Sequence, residues 1–219
     1  EAIKTNKRKD GRGLDAWRAA HVTTNGDAAT ATAGGSRATA RARIAAPEKD
    51  EPRLGFEVRR GALNADDRWC RRVQQLLEDC WADGAALDRG VLDDGVARKV
   101  EVLVTCESDE GGVEDCALLA ASAAIAALEN TPLVLHAAPL TCAVTEDGAV
   151  LADPSIDEAS GCARVTVVVG ADRVNGVSSD APLLKVAVAG AMPAAALERC
   201  VALAAKRAAT IQWPHAMAD

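Results

Sequence analysis

The sequence predicts an α+β fold of two mixed layers, in which the helices pack together and the sheets lie outside. Three observations carry this prediction: strand patterns come first, a helix, a strand and a second helix follow, and further strands precede a terminal helix. Runs of strands interrupted by helices in this way are typical of α+β proteins. The chain has 219 residues, enough to bury a core, and we expect one domain over residues 1–219.

The first 60 residues predict a basic arm followed by strands. Residues 1–20 form the arm, which turns at Asp10-Gly11. From His21 to Ile44, small or β-branched residues alternate with polar ones around Gly34-Gly35, which predicts strands joined by a tight turn. In a continuous strand, three arginines of one parity would share a face: Arg37, Arg41 and Arg43. A loop bounded by proline then leads to a short strand, Gly55–Arg59.

The middle of the chain predicts two helices on either side of a strand. Residues 67–81 carry apolar side chains at helical spacing, and Asp66 and Asp67 suit the N-terminus of a helix. Strand Val100–Cys106 follows and ends in an acidic turn that contains glycine. Residues 113–128 predict a helix so apolar that it must be buried on most sides.

The last third predicts four strands and a helix. "TPLVLHA" is one strand, and "LTCAVTEDGAVLADPS" forms two strands around the hairpin turn Asp147-Gly148. "ARVTVVVGADRVNGVSS" and "LLKVAVAG" are further strands. Residues 193–208 predict the terminal helix, with Pro193 at its first position and Lys206 and Arg207 in its last turn.

Charge is unevenly distributed along the chain, whose formal net charge is −7. Residues 1–73 contain 16 Lys and Arg against 10 Asp and Glu, whereas the remainder contains 9 against 22. This asymmetry suits one basic surface on an acidic protein, and a mixed, solvated surface explains it equally well. Because Phe occurs once and Tyr is absent, the arginines suit contact with a phosphate backbone better than base readout.

The cysteines and histidines predict neither a metal site nor a cofactor. The seven cysteines show no CxxC and no spacing typical of zinc ligands, so free thiols in a reducing compartment are expected. His21, His136 and His215 lie in unrelated contexts. We expect no signal peptide and no membrane association, since the apolar run 116–128 is too short to cross a bilayer.

Two acidic clusters are the remaining candidates for chemistry. Asp109-Glu110 and Glu114-Asp115 follow a strand, where neighbouring carboxylates can bind Mg²⁺, but an exposed turn before a capped helix explains them as well. Asp153-Pro154 precedes Asp157-Glu158, and this pattern fits a turn and helix cap better than an acid/base pair.

Four stretches, in their order along the chain, resemble the RNase PH family. Arg8-x-Asp10-Gly11-Arg12-x5-Arg18 is similar to the N-terminal signature of these domains, and residues 26–58 are similar to their first strands. Residues 100–128 resemble the strand, acidic glycine turn and buried helix in the middle of the domain. Residues 150–160 and 196–208 resemble its last segments. The resemblance implies an RNase PH-like fold, also called ribosomal protein S5 domain 2-like, with mixed sheets packed on central helices.

The family contains phosphorolytic exoribonucleases and inactive relatives that serve as ring subunits. Active members share three features: an Asp on the central strand, a second Asp in an "ADGG" turn, and a Thr-Arg pair after that turn. This chain has Leu103 or Thr105 at the first position and Glu114-Asp115 in place of the pair. Two carboxylates there would repel phosphate. The resemblance therefore implies an inactive domain without catalytic residues.

The resemblance implies that the protein is a structural subunit of the eukaryotic RNA exosome core. It also implies that the protein is found in the nucleus, including the nucleolus, and in the cytoplasm. Such a domain joins five others in a hexameric ring, which cap subunits bind and through which RNA passes to a separate nuclease. We expect the RNA backbone to contact three arginines, although an ion-paired helix surface suits them equally: Arg68, Arg71 and Arg72. Three residues are expected to fix the arm to the domain or to a neighbouring subunit: Asp10, Arg12 and Arg18.

Two other functions stay open at this point. One is an active phosphate-dependent 3′–5′ exoribonuclease that uses Asp109, Glu110 and Asp115 around Mg²⁺. The other is a free-standing RNA-binding module, which would be a monomer that binds RNA with a steep salt dependence.

Overall fold

The structure, a computed structural model, describes most of the chain. It covers Arg8 and residues 10–47, 53–61, 67–82, 86–88, 98–172 and 181–214. Residues 1–7 of the predicted arm, Asp66 and His215 lie outside the described residues. Within the described part, no helix combines the length and the apolar character that crossing a membrane requires.

The first half of the chain builds a five-stranded sheet. Its strands are β1 (Ala20–Asn25), β2 (Ala28–Ala33), β3 (Ser36–Ala45), β4 (Leu54–Arg60) and β5 (Lys99–Ser108). Their order is β1-β2-β3-β5-β4, and only β4 and β5 are parallel. Alternating alanines of β2 and β3 are buried, while the predicted row Arg37, Arg41 and Arg43 is exposed on one face, which confirms that prediction.

The second half builds a four-stranded sheet. Its strands are β6 (Leu135–Val144), β7 (Val150–Ala152), β8 (Ala163–Asp172) and β9 (Leu183–Ala189). Their order is β7-β6-β8-β9, and all neighbours are antiparallel. The four helices of the described residues are α1 (Asp67–Ala82), α2 (Val113–Ala126), α3 (Ile156–Ala159) and α4 (Ala194–Ala208).

Helix α2 lies between the two sheets, where it contacts β3 on one side and β6 on the other. All of its residues except Ala126 are buried, as the apolar pattern predicts. Helix α4 packs on the opposite face of the second sheet, because Thr141 of β6 contacts Asp115 of α2 while the adjacent Cys142 contacts Cys200 of α4. Helix α1 packs on β4 and β9. The α+β class is thus confirmed. The layers follow the order sheet, helix, sheet, helix, so the expectation that the helices pack together with both sheets outside was wrong for α4.

Three local expectations were wrong. The separate strands predicted around Pro139 are one strand, β6. Pro139 fits within it because β7 pairs only with residues 142–144 of β6, so the side of β6 that faces β7 has no strand partner at the proline among the described residues. The N–H that proline lacks is therefore not needed for pairing. Pro193 is the N-cap of α4, one residue before the helix. The second sheet is antiparallel throughout and therefore is not a mixed sheet.

The cysteines behave as small apolar residues. All seven are free thiols, and burial raises the pKa of Cys80, Cys106 and Cys116 to about 12 each. Such thiols stay protonated at neutral pH and are poor nucleophiles.

Candidate functional site

Arg8 anchors the N-terminal arm to the body of the protein. Its side chain is fully buried, and its guanidinium donates to both carboxylate oxygens of Glu158, at 2.9 and 2.5 Å. It also donates to three backbone carbonyls, those of Ala16, Ala152 and Asp153, at 3.1, 2.6 and 2.7 Å. All three guanidinium nitrogens are therefore in use, and this pairing lowers the pKa of Glu158 although burial opposes the shift. The sequence-based site prediction left Arg8 out, although Arg8 opens the family-like signature.

The Asp10-Gly11-Arg12 stretch is a turn, as its sequence predicts. Gly11 has a φ of +83°, a conformation that glycine adopts without strain. The Asp10 carboxylate accepts hydrogen bonds from the backbone N–H of Arg12 at 3.0 Å and from its Nε at 2.7 Å. Burial opposes the shift, but these bonds and the charge of Arg12 together lower the pKa of Asp10. The turn directs the Arg12 side chain towards the body of the protein.

Asp153 receives both of the predicted pairing arginines. Its carboxylate is 1% exposed and accepts from Arg18 Nε at 2.9 Å, Arg18 Nη2 at 2.5 Å and Arg12 Nη1 at 3.0 Å. The backbone N–H of Arg18 adds a fourth bond at 2.7 Å. The hydrogen bonds that the Arg18 guanidinium donates to Asp153 raise the pKa of Arg18 against the effect of burial. Arg12, Arg18 and Asp153 form what we call the arm clamp.

Helix α3 completes the arm clamp's surroundings. Ser155 caps the helix by accepting from the Glu158 backbone N–H at 3.3 Å, and the Glu158 carboxylate accepts from the Ser155 backbone N–H at 2.9 Å. This capping box gives Glu158 a structural task in addition to its pairing with Arg8. The structure thus agrees with the turn and cap that the sequence favours for this acidic segment.

The acidic turn after β5 is held by backbone hydrogen bonds. The Asp109 carboxylate accepts from the N–H groups of Gly111 and Val113 at 2.7 and 3.3 Å. The Glu110 carboxylate accepts from the Gly35 N–H at 2.9 Å, which joins this turn to the β2–β3 turn. Both carboxylates therefore have backbone partners, which lie at the N-terminus of α2 for Asp109 and in the β2–β3 turn for Glu110.

Asp115 is separated from these two carboxylates by its burial. It accepts from the Thr141 hydroxyl at 2.7 Å and pairs with Arg207 Nη1 at 2.5 Å, both partners being buried. The neighbouring Glu114 pairs with Arg72 and Arg164 at 2.5 and 3.3 Å. The structure does not bring the predicted Mg²⁺ set of Asp109, Glu110 and Asp115 together in one cluster, and among the described residues no group of three acidic, His or Cys side chains could hold a metal ion.

A cleft of about 690 Å³ lies beside the arm clamp. Its lining includes Arg12 and Arg18 and five carboxylate residues: Asp10, Asp109, Glu110, Asp157 and Glu158. Asp115 is not part of this lining. The excess of carboxylates makes the cleft unfavourable for phosphate.

The candidate RNA-contacting arginines lie on α1 and differ in their partners. Arg68 and Arg71 are exposed, and neither forms an ion pair within the described part of the chain. Arg72 is bound to Glu114, although its side chain remains 59% exposed. Arg60, at the end of β4, lies 3.8 Å from Asp67 at the start of α1, so the two segments meet on this basic face.

Solved structures share this fold over nearly the whole chain. A chain of an archaeal exosome core matches with a TM-score of 0.76 and 18% identity, over 94% of this chain and 90% of that chain. The RNase PH-like fold is confirmed. Rice (Oryza sativa) Rrp46 matches with a TM-score of 0.73 and 18% identity, over 92% of this chain and 95% of that chain.

A third similar structure is a chain of the Archaeoglobus fulgidus exosome with RNA bound to the active site. It matches with a TM-score of 0.74 and 18% identity, over 94% of this chain and 91% of that chain. No protein-family model matches the chain, and no curated protein matches its sequence. At these identities, the likeness establishes the fold, and function must be argued from the residues.

Proposed function

We propose that the chain is a structural, non-catalytic subunit of an RNA exosome ring. The observation that carries this proposal is its fold, which matches exosome core proteins over more than nine-tenths of the chain. The partners in this proposal are other RNase PH-like subunits in a hexameric ring, cap subunits, an associated nuclease and RNA. The proposal includes residence in the nucleus, with the nucleolus, and in the cytoplasm.

The hydrogen bonds and ion pairs of the acidic side chains support a non-catalytic role. Asp109 and Glu110 accept backbone hydrogen bonds that shape the turn before α2, and Asp115 is paired with Arg207 in the interior. A phosphorolytic site needs cations for inorganic phosphate and free carboxylates for a metal. In this chain the carboxylates serve the fold instead.

The exposed arginines support contact with the RNA backbone. Arg68 and Arg71 extend from α1 without an ion-pair partner in the described part of the chain, so binding a phosphate would break no existing salt bridge. Arginine forks bind phosphate oxygens without reading sequence. The chain would thus guide RNA of any sequence along its basic face.

The arm clamp supports a role in building the subunit. Arg12 and Arg18 point at Asp153, and their side chains are 17% and 14% exposed, which leaves little of either guanidinium for a ligand. Substituting Arg12 by alanine should accordingly impair folding or ring assembly more than RNA affinity.

The experiment that tests the proposal is purification of the tagged endogenous protein, followed by native mass spectrometry. We expect a complex that contains other chains of RNase PH-like fold. Recovery of the chain as a monomer that binds RNA would favour the free-standing RNA-binding module and contradict the ring proposal.

The second candidate is a phosphate-dependent 3′–5′ exoribonuclease. One observation favours it: the similar Archaeoglobus fulgidus exosome was solved with RNA in an active site. The purified chain would then shorten single-stranded RNA in the presence of phosphate and Mg²⁺, and Asp115→Asn would abolish this activity.

A matched variant separates catalysis from folding in that assay. Asp115→Asn also weakens the buried pair with Arg207, whereas Asp109→Asn alters a half-buried turn and leaves that pair in place. Activity that the wild type shows and both variants lose, with folding intact, would establish the enzyme. No phosphorolysis by the wild-type chain is the result that we expect.

A further inference from the structure

A cleft separates α1 from the second sheet at the strand β9. Its volume is about 250 Å³. Val73 and Leu76 of α1 form one wall, and Ala187 and Ala189 of β9 form the other. Because both strand residues are alanines, no side chain of β9 fills the space at these positions. The cleft therefore has an apolar interior large enough to receive a side chain from outside.

The strand β9 is an edge strand beside this cleft. It pairs with β8 on one side, and no other strand of the described residues pairs with it. Its Leu183 and Val188 side chains are 50% and 51% exposed, so the edge presents apolar surface. A hydrophobic edge with free backbone N–H and C=O groups is a template for pairing with another chain.

The rim of the cleft is positively charged. Three basic residues, Arg72, Arg164 and Lys185, line it together with two acidic ones, Glu114 and Asp79. The formal net charge of these five side chains is therefore +1. The arginine pairs hold Glu114, whose side chain is only 10% exposed, whereas Arg72 is 59% exposed. Lys185 pairs with Asp79 at 2.6 Å and ties the strand to the helix. Of these five side chains Arg72 is the most exposed, so its guanidinium is the cation of the rim that an added carboxylate reaches most easily, beside its pair with Glu114.

We propose that this cleft docks an extended peptide segment of a partner protein by strand addition to β9. The segment carries apolar side chains at alternate positions, one of which enters the cleft between Leu76 and Ala187, and an Asp or Glu that reaches Arg72. Main-chain hydrogen bonds to the edge supply affinity, and the side-chain pocket supplies specificity. This inference does not depend on the proposed exosome role.

Nucleic acid fits the cleft less well than a peptide does. Its interior is apolar, and none of the described residues that line it carries an aromatic ring on which a base could stack. Arg68 and Arg71, which are exposed and form no ion pair with the residues that the structure describes, are not part of its lining. Backbone pairing along an edge strand is also available to a polypeptide and unavailable to RNA.

The test is selection of phage-displayed random peptides about eight residues long, the length of a typical strand, on the immobilised full chain. We expect the selected peptides to alternate apolar residues with polar ones and to contain an acidic residue. A synthetic copy of the best peptide should lose affinity at least about tenfold when its acidic residue is replaced by lysine.

Variants of the chain locate the binding site. Ala187→Leu fills the cleft and should weaken binding at least about tenfold, whereas Ala202→Leu, on the exposed face of α4, should not change it. If Ala187→Leu does not fold, as judged by circular dichroism, Ala189→Leu at the exposed end of the strand replaces it. Methylating alternate backbone nitrogens of the peptide should abolish binding for one of the two sets only, because an added strand pairs through every second residue.

Three results would overturn the proposal. The first is a selection that enriches no peptide. The second is binding that tolerates the cleft-filling variants. The third is single-stranded oligouridylate that binds the wild type and not Ala187→Leu, since the cleft would then be an RNA site.

Discussion

Replacing Asp153 by asparagine should destabilise the protein strongly, because it removes the charge that both Arg12 and Arg18 face. The substitution keeps the size of the side chain. It also keeps the backbone, since Asp153 has a φ of +48° and asparagine tolerates this left-handed conformation. The loss therefore reports the charge and its hydrogen bonds rather than a change of shape.

The expected magnitude follows from the geometry of the arm clamp. Asp153 is 1% exposed and accepts four hydrogen bonds, of which three come from guanidinium nitrogens at 2.5–3.0 Å. Removing one partner of such a buried pair costs about 3–5 kcal/mol. Because Arg12 and Arg18 retain some contact with water, we expect about 3 kcal/mol, the lower end of this range. For a chain of this size, this corresponds to a fall in Tm of about 6–12 °C.

The assay is urea unfolding followed by circular dichroism, with Asp10→Asn as the matched control. Asp10 pairs with Arg12 at 2.7 Å, but its side chain is 47% exposed, and exposed pairs contribute less than about 1 kcal/mol. A free energy of unfolding that falls by a similar small amount in both variants would refute the idea that burial of Asp153 holds the arm in place.

Three further predictions concern acid stability, RNA affinity and the core. Since the Arg8 pair lowers the pKa of Glu158 below 4.5, although burial opposes it, the pair stabilises the protein at neutral pH and loses its effect as the pH falls through that lowered pKa. Glu158→Gln should therefore flatten the loss of unfolding free energy on acidification, and an unchanged pH profile would contradict this. Arg68→Ala combined with Arg71→Ala should lower RNA affinity and reduce the slope of log K against log salt by about 0.7 for each lost phosphate contact, as measured by filter binding, while stability stays within about 0.5 kcal/mol. Leu119→Ala, in the buried centre of α2, should lower the free energy of unfolding measured in urea by about 2–5 kcal/mol. Its control Ile44→Ala, at an exposed position, should lower it by less than about 0.5 kcal/mol, and equal losses would contradict the packing described.

Local patterns in the sequence predict most of the elements. Alternation places the arginines of β3 on one face, and an unbroken apolar run identifies α2 as the buried helix. These features depend on residues within a few positions of one another, so a single sequence contains the information. Pro139 led to the wrong prediction of two strands in place of β6. Whether a proline fits within a strand depends on which neighbouring strand pairs at that position, and this is not a local property of the sequence.

The pairing of charged residues is less predictable from the sequence. Arg12 and Arg18 are recognisable as pairing residues, but their partner Asp153 lies at least 135 positions away. Arg207 lies in the last turn of α4, where a basic residue interacts favourably with the helix dipole. Its side chain nevertheless binds Asp115, which is 92 positions away. Such partners are determined by how the layers stack, and no spacing rule relates them.

The most direct test of the ring proposal is electron cryo-microscopy of the complex purified with the tagged protein. We predict a ring of six domains of RNase PH-like fold, with this chain at one position and the arginines of α1 on the path of the RNA. A complex in which this chain lies outside such a ring, or particles that contain the chain alone, would contradict the proposal.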